Sequence, residues 1–340
     1  SGRSRCLEGT SRMDHSGGAV PEPRRVPWPE GLPGPVFSSP SQCFLNGWER
    51  NARRAWPTLG LMQDLVMTLR CPDGPGIVHA LTGVVVSLGG NITECQQFAS
   101  ADTGRFFTRI ALVGPTRDEL MGALRPVAEG LGAEFNIYGT QRPTRTLLLA
   151  SKAGHCLNEL LFRWRAGTLP IDVVGVMANH EVLGSLADFY GVPFTHRVVV
   201  PETKADFEAE VRRVIEERKV DLVVLARYMQ ILSPELCDHL AGRAINIHHS
   251  FLPGFKGANP YRQAHIRGVK LIGATAHFVT SDLDEGPIIE QNVVRVDHTM
   301  GVSKLVSKGR GQESETLAEA VRLFAEHRVL MDGNRTVIFR

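Results

Sequence analysis

Between residues 145 and 226 the chain alternates short apolar runs with helix-period segments, and this alternation constrains the fold more than any other feature. The strand-like runs are TLLLAS within 145 to 151, IDVVGVMAN (171 to 179), THRVVV (195 to 200) and VDLVVLA (220 to 226). Between them lie three helical segments: NELLFRWRAG, Glu181 to Tyr190, and ADFEAEVRRVIEERK. Strands that are apolar along their whole length bury both faces, and strands separated by helices do so in a parallel, doubly wound α/β sheet. Ligands of such sheets gather at the carboxyl ends of the strands, which directs attention to the loops after Ala150, Ala178 and Ala226.

Upstream, DLVMTLR (64 to 70) alternates like a strand. The CPDGPG turn follows, with Pro75 suited to the first position of a helix running IVHALTGVVVSLG. After Gly89 and Gly90 come two strand-like runs, NITECQQFA (91 to 99) and RFFTRIALV (105 to 113). A helix from Thr116 to about Leu131 and the strand EFNIY (134 to 138) complete a β-α-β-β-α-β order, the ferredoxin-like motif. QRPTR (141 to 145) reads as a linker, so the expected division is 62–140 and 146–340. Residues 1–61 hold eight of the twenty prolines and show no sustained period, so they are expected to be a disordered extension. Met62, directly before the first periodic segment, is the expected native start.

Charge excludes a nucleic-acid partner. The formal net charge is +2, but residues 1–61 carry eight Arg against five acids, leaving 30 basic against 31 acidic residues in the remainder. A near-neutral body lacks the footprint that binding a phosphate backbone requires. No apolar run approaches the roughly 20 residues of a membrane helix. Six dispersed cysteines form no CxxC pair, which suits reduced thiols in a cytoplasmic protein.

The densest polar cluster is AINIHHSFLPGFKGANPYRQA (244 to 264). On a strand, side chains two apart share a face, so Asn246 and His248 emerge together while Ile245 and Ile247 face the other way. FLPGFKG is a loop whose glycines admit close approach to a ligand, and NPYRQAHIRG reads as a helix. KLIGATAHFVTSDLDEGPIIEQNVVRVD then gives a strand, an acidic turn from Asp282 to Glu285, and a hairpin-like return. His248, His249, His277, Asp282 and Asp284 can be imagined as metal ligands, but no ligand spacing such as HExxH supports this, and Asn246 would then have no role.

This stretch resembles the formyltransferase family that uses 10-formyltetrahydrofolate, in which an Asn-x-His on one strand and an Asp in a D-x-G-P-I-I turn form the catalytic set. Carried over, these are Asn246, His248 and Asp284. HHSFLPGF, ARYMQILS, SKAGHCLNELLFRWR and GNRTVIF resemble its deformylase branch in particular, and the resemblance covers residues 64 to 340. It implies hydrolysis of 10-formyltetrahydrofolate to formate and tetrahydrofolate, with the folate as substrate and no cofactor or metal, balancing the one-carbon folate pool and feeding purine synthesis. It also implies a folate pocket lined by Met229, Gln230, Ile231, Leu232 and the turn from Asp282 through Gly286 to Pro287, with His249 and Gly254 beside it. Formyltransferases acting on a ribonucleotide use a Gly-rich loop to cradle a phosphate where this chain has Lys152, His155 and Cys156, which favours water as acceptor.

Chemistry fits the trio. Water attacking a formyl carbon generates a tetrahedral oxyanion, and a neutral amide donor such as Asn246 Nδ2 can hold that charge, typically worth about 10² to 10³ in rate. An imidazole, the group that most readily exchanges a proton near neutral pH, suits protonation of the leaving N10. Asp284 either orients His248 or activates the water.

The N-terminal residues resemble the ACT regulatory domain through the strand, the DGPGIV turn and the following GGNI. That implies an effector site at Asp73, Gly74, Gly76 and Asn91, unless these residues simply form tight turns. Glycine or methionine is the expected effector and a homo-oligomer the expected assembly. Two other functions stay open: formyl transfer to an amine, and a non-catalytic amino-acid sensor. The polar stretch SKGRGQESETL reads as a polar helix start that interrupts the C-terminal part, and the sequence assigns it no role.

Overall fold

The structure is a computed structural model describing residues 64–252 and 260–340, so the expectations for residues 1–61, for Met62 and for Gly254 lie outside the described residues. Strands β1 (Asp64–Pro72), β2 (Asn91–Ser100), β3 (Arg105–Val113) and β4 (Glu134–Gly139) form an antiparallel sheet in the order β2-β3-β1-β4. Helices α1 (Ile77–Ser87) and α2 (Arg117–Leu131) connect them, which is the βαββαβ order read from the sequence. Alternation sorts the sheet's two faces: Leu65, Met67 and Leu69 pack with Ile110, Leu112, Leu81 and Leu124 in one core. Phe107 and Arg109 of β3 face the other way.

Pro75 does not begin α1. The helix starts at Ile77, and Gly76 takes the capping position with φ +86°, a left-handed conformation that glycine adopts without steric cost. The same topology separates the expected effector residues. Asp73 to Gly76 follow Pro72, which pairs with Arg105, whereas Asn91 pairs with Val113 at the opposite end of β3.

The second sheet has seven strands in the order β11-β10-β9-β8-β5-β6-β7. They are β5 (Thr144–Ala150), β6 (Ile171–Ala178), β7 (Phe194–His196), β8 (Leu222–Ala226), β9 (Ala244–His248), β10 (Leu271–Phe278) and β11 (Ile288–Arg295). From β7 across to β9 all pairs are parallel; β10 runs antiparallel to both neighbours. This is the doubly wound sheet expected, with an antiparallel extension. Every residue of β8 is buried, because helices cover both faces. On one side β5 contributes Leu148 and Ala150 to a core with α3 (His155–Arg165), α4 (Gly184–Tyr190) and the long α8 (Val302–Ala325). On the other, Leu147 and Leu149 pack against α5 (Lys204–Glu217) and α6 (Pro234–His239).

Three local expectations change. QRPTR is not wholly linker, since Thr144 and Arg145 already belong to β5. THRVVV is strand only to His196, because β6 ends at Ala178, the partner of His196, and offers nothing for Val198 to Val200 to pair with. SKGRGQESETL does not interrupt the C-terminal part; it lies wholly within α8. A final hairpin, β12 (Val329–Asp332) and β13 (Arg335–Ile338), returns to the first sheet, where Leu330 and Phe339 cover Phe107. Cys71, Cys95, Cys156 and Cys237 are free thiols. Among the described residues no helix is long and apolar enough to cross a membrane.

Candidate active site

Strand β9 divides its side chains as its alternation dictates: Ile245 and Ile247 enter the core, and Asn246 and His248 face away. The register of β10 against β9 sets His277 opposite Asn246 and Thr275 opposite His248. Thr275 Oγ1 donates to Ser250 O at 2.9 Å and accepts from Leu252 N at 3.0 Å, which ties down the chain leaving β9.

The turn after β10 brings in the carboxylate. Phe278 N donates to Pro287 O at 2.9 Å, closing the turn, and Asp284 at its tip has φ +57°. Asp and Asn tolerate that left-handed conformation better than most residues. Gly286 lies flat against the end of β10, where a Cβ would stand 1.8 Å from Phe278 O. Only glycine fits there. Gly286 and Pro287, expected to line the folate pocket, are absent from its walls; they shape the turn that presents Asp284.

Asn246, His248 and Asp284 converge. Asp284 Oδ2 is 3.0 Å from His248 Nδ1, and Oδ1 is 3.5 Å from Asn246 Nδ2 and 3.6 Å from His277 Nε2. Hydrogen bonds from His248 and then His277 hold the Asp284 carboxyl well below the usual carboxylate range, against the opposing effect of burial. His277 Nδ1 lies 2.8 Å from Phe278 O, a pure acceptor, and so donates to it, while Nε2 lies 3.3 Å from Asn246 Nδ2. Both contacts of the Asn246 amide are longer than ordinary hydrogen bonds, leaving its N–H groups weakly committed. His248 is 4% exposed, and its Nε2 has no hydrogen-bond partner among the described residues. A buried, unpaired imidazole nitrogen costs free energy unless something fills its place, which is what a bound substrate or water does.

These groups line a cavity of about 650 Å³. One wall is the segment Tyr228 to Leu232 after β8, which the sequence assigned to the folate pocket. Met229 and Ile231 are 59% and 62% exposed and present apolar surface, while Leu232 also anchors in the core with Leu236. Leu283, 61% exposed, adds apolar surface from the Asp284 turn. Gln230 and His249 line the cavity as expected. Burial, reinforced by the Arg227 charge, pushes His249 down to about 4 and keeps it neutral. The loops after Ala150 and Ala226 reach this cavity; the loop after Ala178 does not.

Several residues of the site were not read from sequence. His277 was considered only as a metal ligand, although the alternation in ATAH already puts it on one face with Thr275. Arg227, Tyr261 and Glu313 join His155, already singled out after β5, in a second polar group on the same cavity. Ligating atoms of His155, Cys156 and Glu313 lie within 4.8 Å of one another. The Glu313 oxygens are already engaged by His155, Tyr261 and the Arg227 guanidinium, so this set works as a hydrogen-bonded cluster rather than a cation cage.

Comparison with known proteins agrees with the geometry. The formyl transferase family matches residues 144–321. Formyltetrahydrofolate deformylase of Corynebacterium sp. (strain P-1) is 49% identical over 279 residues, 81% of this chain and 98% of that protein. A crystal structure of formyltetrahydrofolate deformylase from Burkholderia mallei superposes with TM-score 0.79 at 48% identity, covering 82% of this chain and all of that one. Glycinamide ribonucleotide transformylase 1 from Symbiobacterium toebii, 34% identical, superposes with TM-score 0.56 over 60% of this chain and 98% of its own. The match to the deformylases runs through both sheets, and this chain belongs to the formyltetrahydrofolate deformylase family.

Proposed function

We propose that this chain hydrolyses 10-formyltetrahydrofolate to formate and tetrahydrofolate, with Asn246, His248 and Asp284 as the catalytic residues. The observation that carries the reading is the free Nε2 of a buried His248 whose Nδ1 is fixed by Asp284 at 3.0 Å. With Nδ1 donating to the carboxylate, Nε2 is a base. It takes a proton from the attacking water, and the imidazolium that forms is stabilised by Asp284. It then delivers the proton to N10 as the C–N bond breaks. The oxyanion draws on Asn246 Nδ2, whose 3.3 and 3.5 Å contacts are easily exchanged for a stronger one. Asp284 is read here as the group that orients His248. No group other than the folate and a water molecule enters this cycle.

The apolar surface of Met229, Ile231 and Leu283 supports a flat, partly aromatic substrate in this cavity. Formate release from 10-formyltetrahydrofolate with no amine added is the direct assay. The expected result is steady turnover; an enzyme idle until an amine is supplied would be a transferase instead.

The first sheet is read as an ACT-like regulatory unit of a cytoplasmic enzyme. What supports this is its grip on the end of α8: Arg109 donates to Glu326 O at 3.2 and 3.1 Å, and Tyr138 stacks on His327 with centroids 3.6 Å apart. Helix α8 also carries Glu313 into the cavity, so a ligand on the first sheet has a rigid route to the site. Because Asn91 and Asp73 to Gly76 lie at opposite ends of the sheet, an effector touching both needs a second copy of the chain. Glycine or methionine is expected to give a calorimetric signal and to change the rate of formate release. Absence of heat and of any rate change with both removes the regulatory reading.

A further inference from the structure

The cavity does not end at the trio. The His249 ring lies 5.0 Å from that of His248, and the Tyr261 ring 6.3 Å from that of His249. Tyr261, from α7 (Pro260–Arg267), donates its hydroxyl to Glu313 Oε1 at 2.5 Å. The other Glu313 oxygen is 2.7 Å from His155 Nε2 and 3.3 Å from Arg227 Nε. Glu313 is 1% exposed. Its burial would raise the carboxyl pKa, but His155, Arg227 and Tyr261 together hold it below the ordinary glutamate value, so the Glu313 carboxylate is ionised.

Three features of the chain exist to make this cluster fit. Gly309 sits one turn before Glu313, where a Cβ would stand 2.1 Å from the Tyr261 hydroxyl. Arg227 is held at φ +63°, a left-handed conformation that non-glycine residues rarely adopt. His155, the first residue of α3, turns its ring to a carboxylate on another helix. None of these groups contacts Asp284, Asn246 or the free His248 Nε2, so the hydrolytic step takes no proton or hydrogen bond from them. They form part of the cavity wall outside the apolar loop and the Asp284 turn.

Water needs no room to reach a formyl carbon, whereas an amine arrives with its substituent. We propose that Glu313, through Tyr261, His155 and Arg227, closes the acceptor side of the cavity and so reserves the formyl carbon for water. This inference rests on the hydrolytic reading above. Opening the cluster would allow the other reaction: an amine lone pair forms a new C–N bond, the C–N10 bond breaks, and one amine proton passes through His248 Nε2 to N10.

The test uses the full chain as wild type, Glu313→Ala and the milder Tyr261→Phe, given 10-formyltetrahydrofolate and rising glycinamide. Formate and N-formylglycinamide are both quantified by mass spectrometry. Wild type is expected to yield formate with no more than a trace of N-formylglycinamide at every amine concentration. Glu313→Ala is expected to raise the N-formyl product by about tenfold or more over wild type, the discrimination one pocket contact provides. Tyr261→Phe should shift the partition the same way by less, and decides the matter if Glu313→Ala does not fold. Formate release with an unchanged partition in the folded variants overturns the acceptor role and leaves the hydrolytic reading intact. So does loss of both products in Glu313→Ala with a wild-type partition in Tyr261→Phe. Failure of wild type to release formate overturns both readings.

Discussion

In the Asp284→Asn variant, kcat for formate release is expected to fall by about 10² to 10⁴, with KM near the wild-type value. Asp284 Oδ2 fixes the His248 Nδ1 proton at 3.0 Å, which is what leaves Nε2 free to act as base. A carboxamide in its place either offers an N–H to Nδ1, forcing the proton onto Nε2, or keeps the tautomer without the charge that stabilises imidazolium. Either outcome slows the chemistry and not the binding, so the loss falls on kcat. Stability should follow pH with a definite sign. The folded-state pKa of Asp284 is depressed by His248 and His277, so its contribution is complete above the unfolded value of about 3.9 and fades as pH falls towards the folded one. The gap in Tm between wild type and Asp284→Asn should therefore be constant above about pH 5 and narrow in acid. A variant with wild-type kcat removes Asp284 from the chemistry.

Gly286→Ala is expected to cost about 10²-fold in kcat and about 1 to 3 kcal/mol in stability, although this residue touches no substrate. Its new methyl would stand 1.8 Å from Phe278 O and 2.9 Å from Phe278 C, both backbone atoms at the end of β10. Neither can retreat without breaking the Phe278 N to Pro287 O bond that closes the turn. The turn must shift, and Asp284, two residues earlier, moves off His248. Displacements of about 1 Å at a reacting group are enough for losses of this size. Measured kcat and Tm check both parts; wild-type kcat in a folded Gly286→Ala protein would show that the turn is not what positions Asp284.

Much of the fold was legible because it depends on local period. The apolar runs of β5, β6 and β8 and the alternation of β9 are properties of neighbouring residues, and they located the doubly wound sheet and set Asn246 beside His248. Where the reading failed, the deciding partner was distant. Val198 to Val200 have strand character, but β6 stops at Ala178 and leaves them unpaired. His277 joins the site because β10 pairs with β9 in one register, setting it opposite Asn246, and that register is a tertiary fact. Glu313 stands in a stretch polar enough to pass for a solvated face, yet it is buried by His155, Arg227 and Tyr261, from 52 to 158 positions away. Gly286 and Pro287 were legible as part of a turn but were assigned to the pocket wall, since their role in holding Asp284 depends on the carbonyl of Phe278.

Catalysis requires three side chains to meet at one carbon, and a crystal structure with a non-hydrolysable 10-formylfolate analogue tests that most directly. The predicted complex has the formyl oxygen about 3 Å from Asn246 Nδ2 and N10 within hydrogen-bond reach of His248 Nε2, with the ring system against Met229, Ile231 and Leu283. A formyl group bound away from these atoms, with His248 Nε2 still unpartnered, would contradict it.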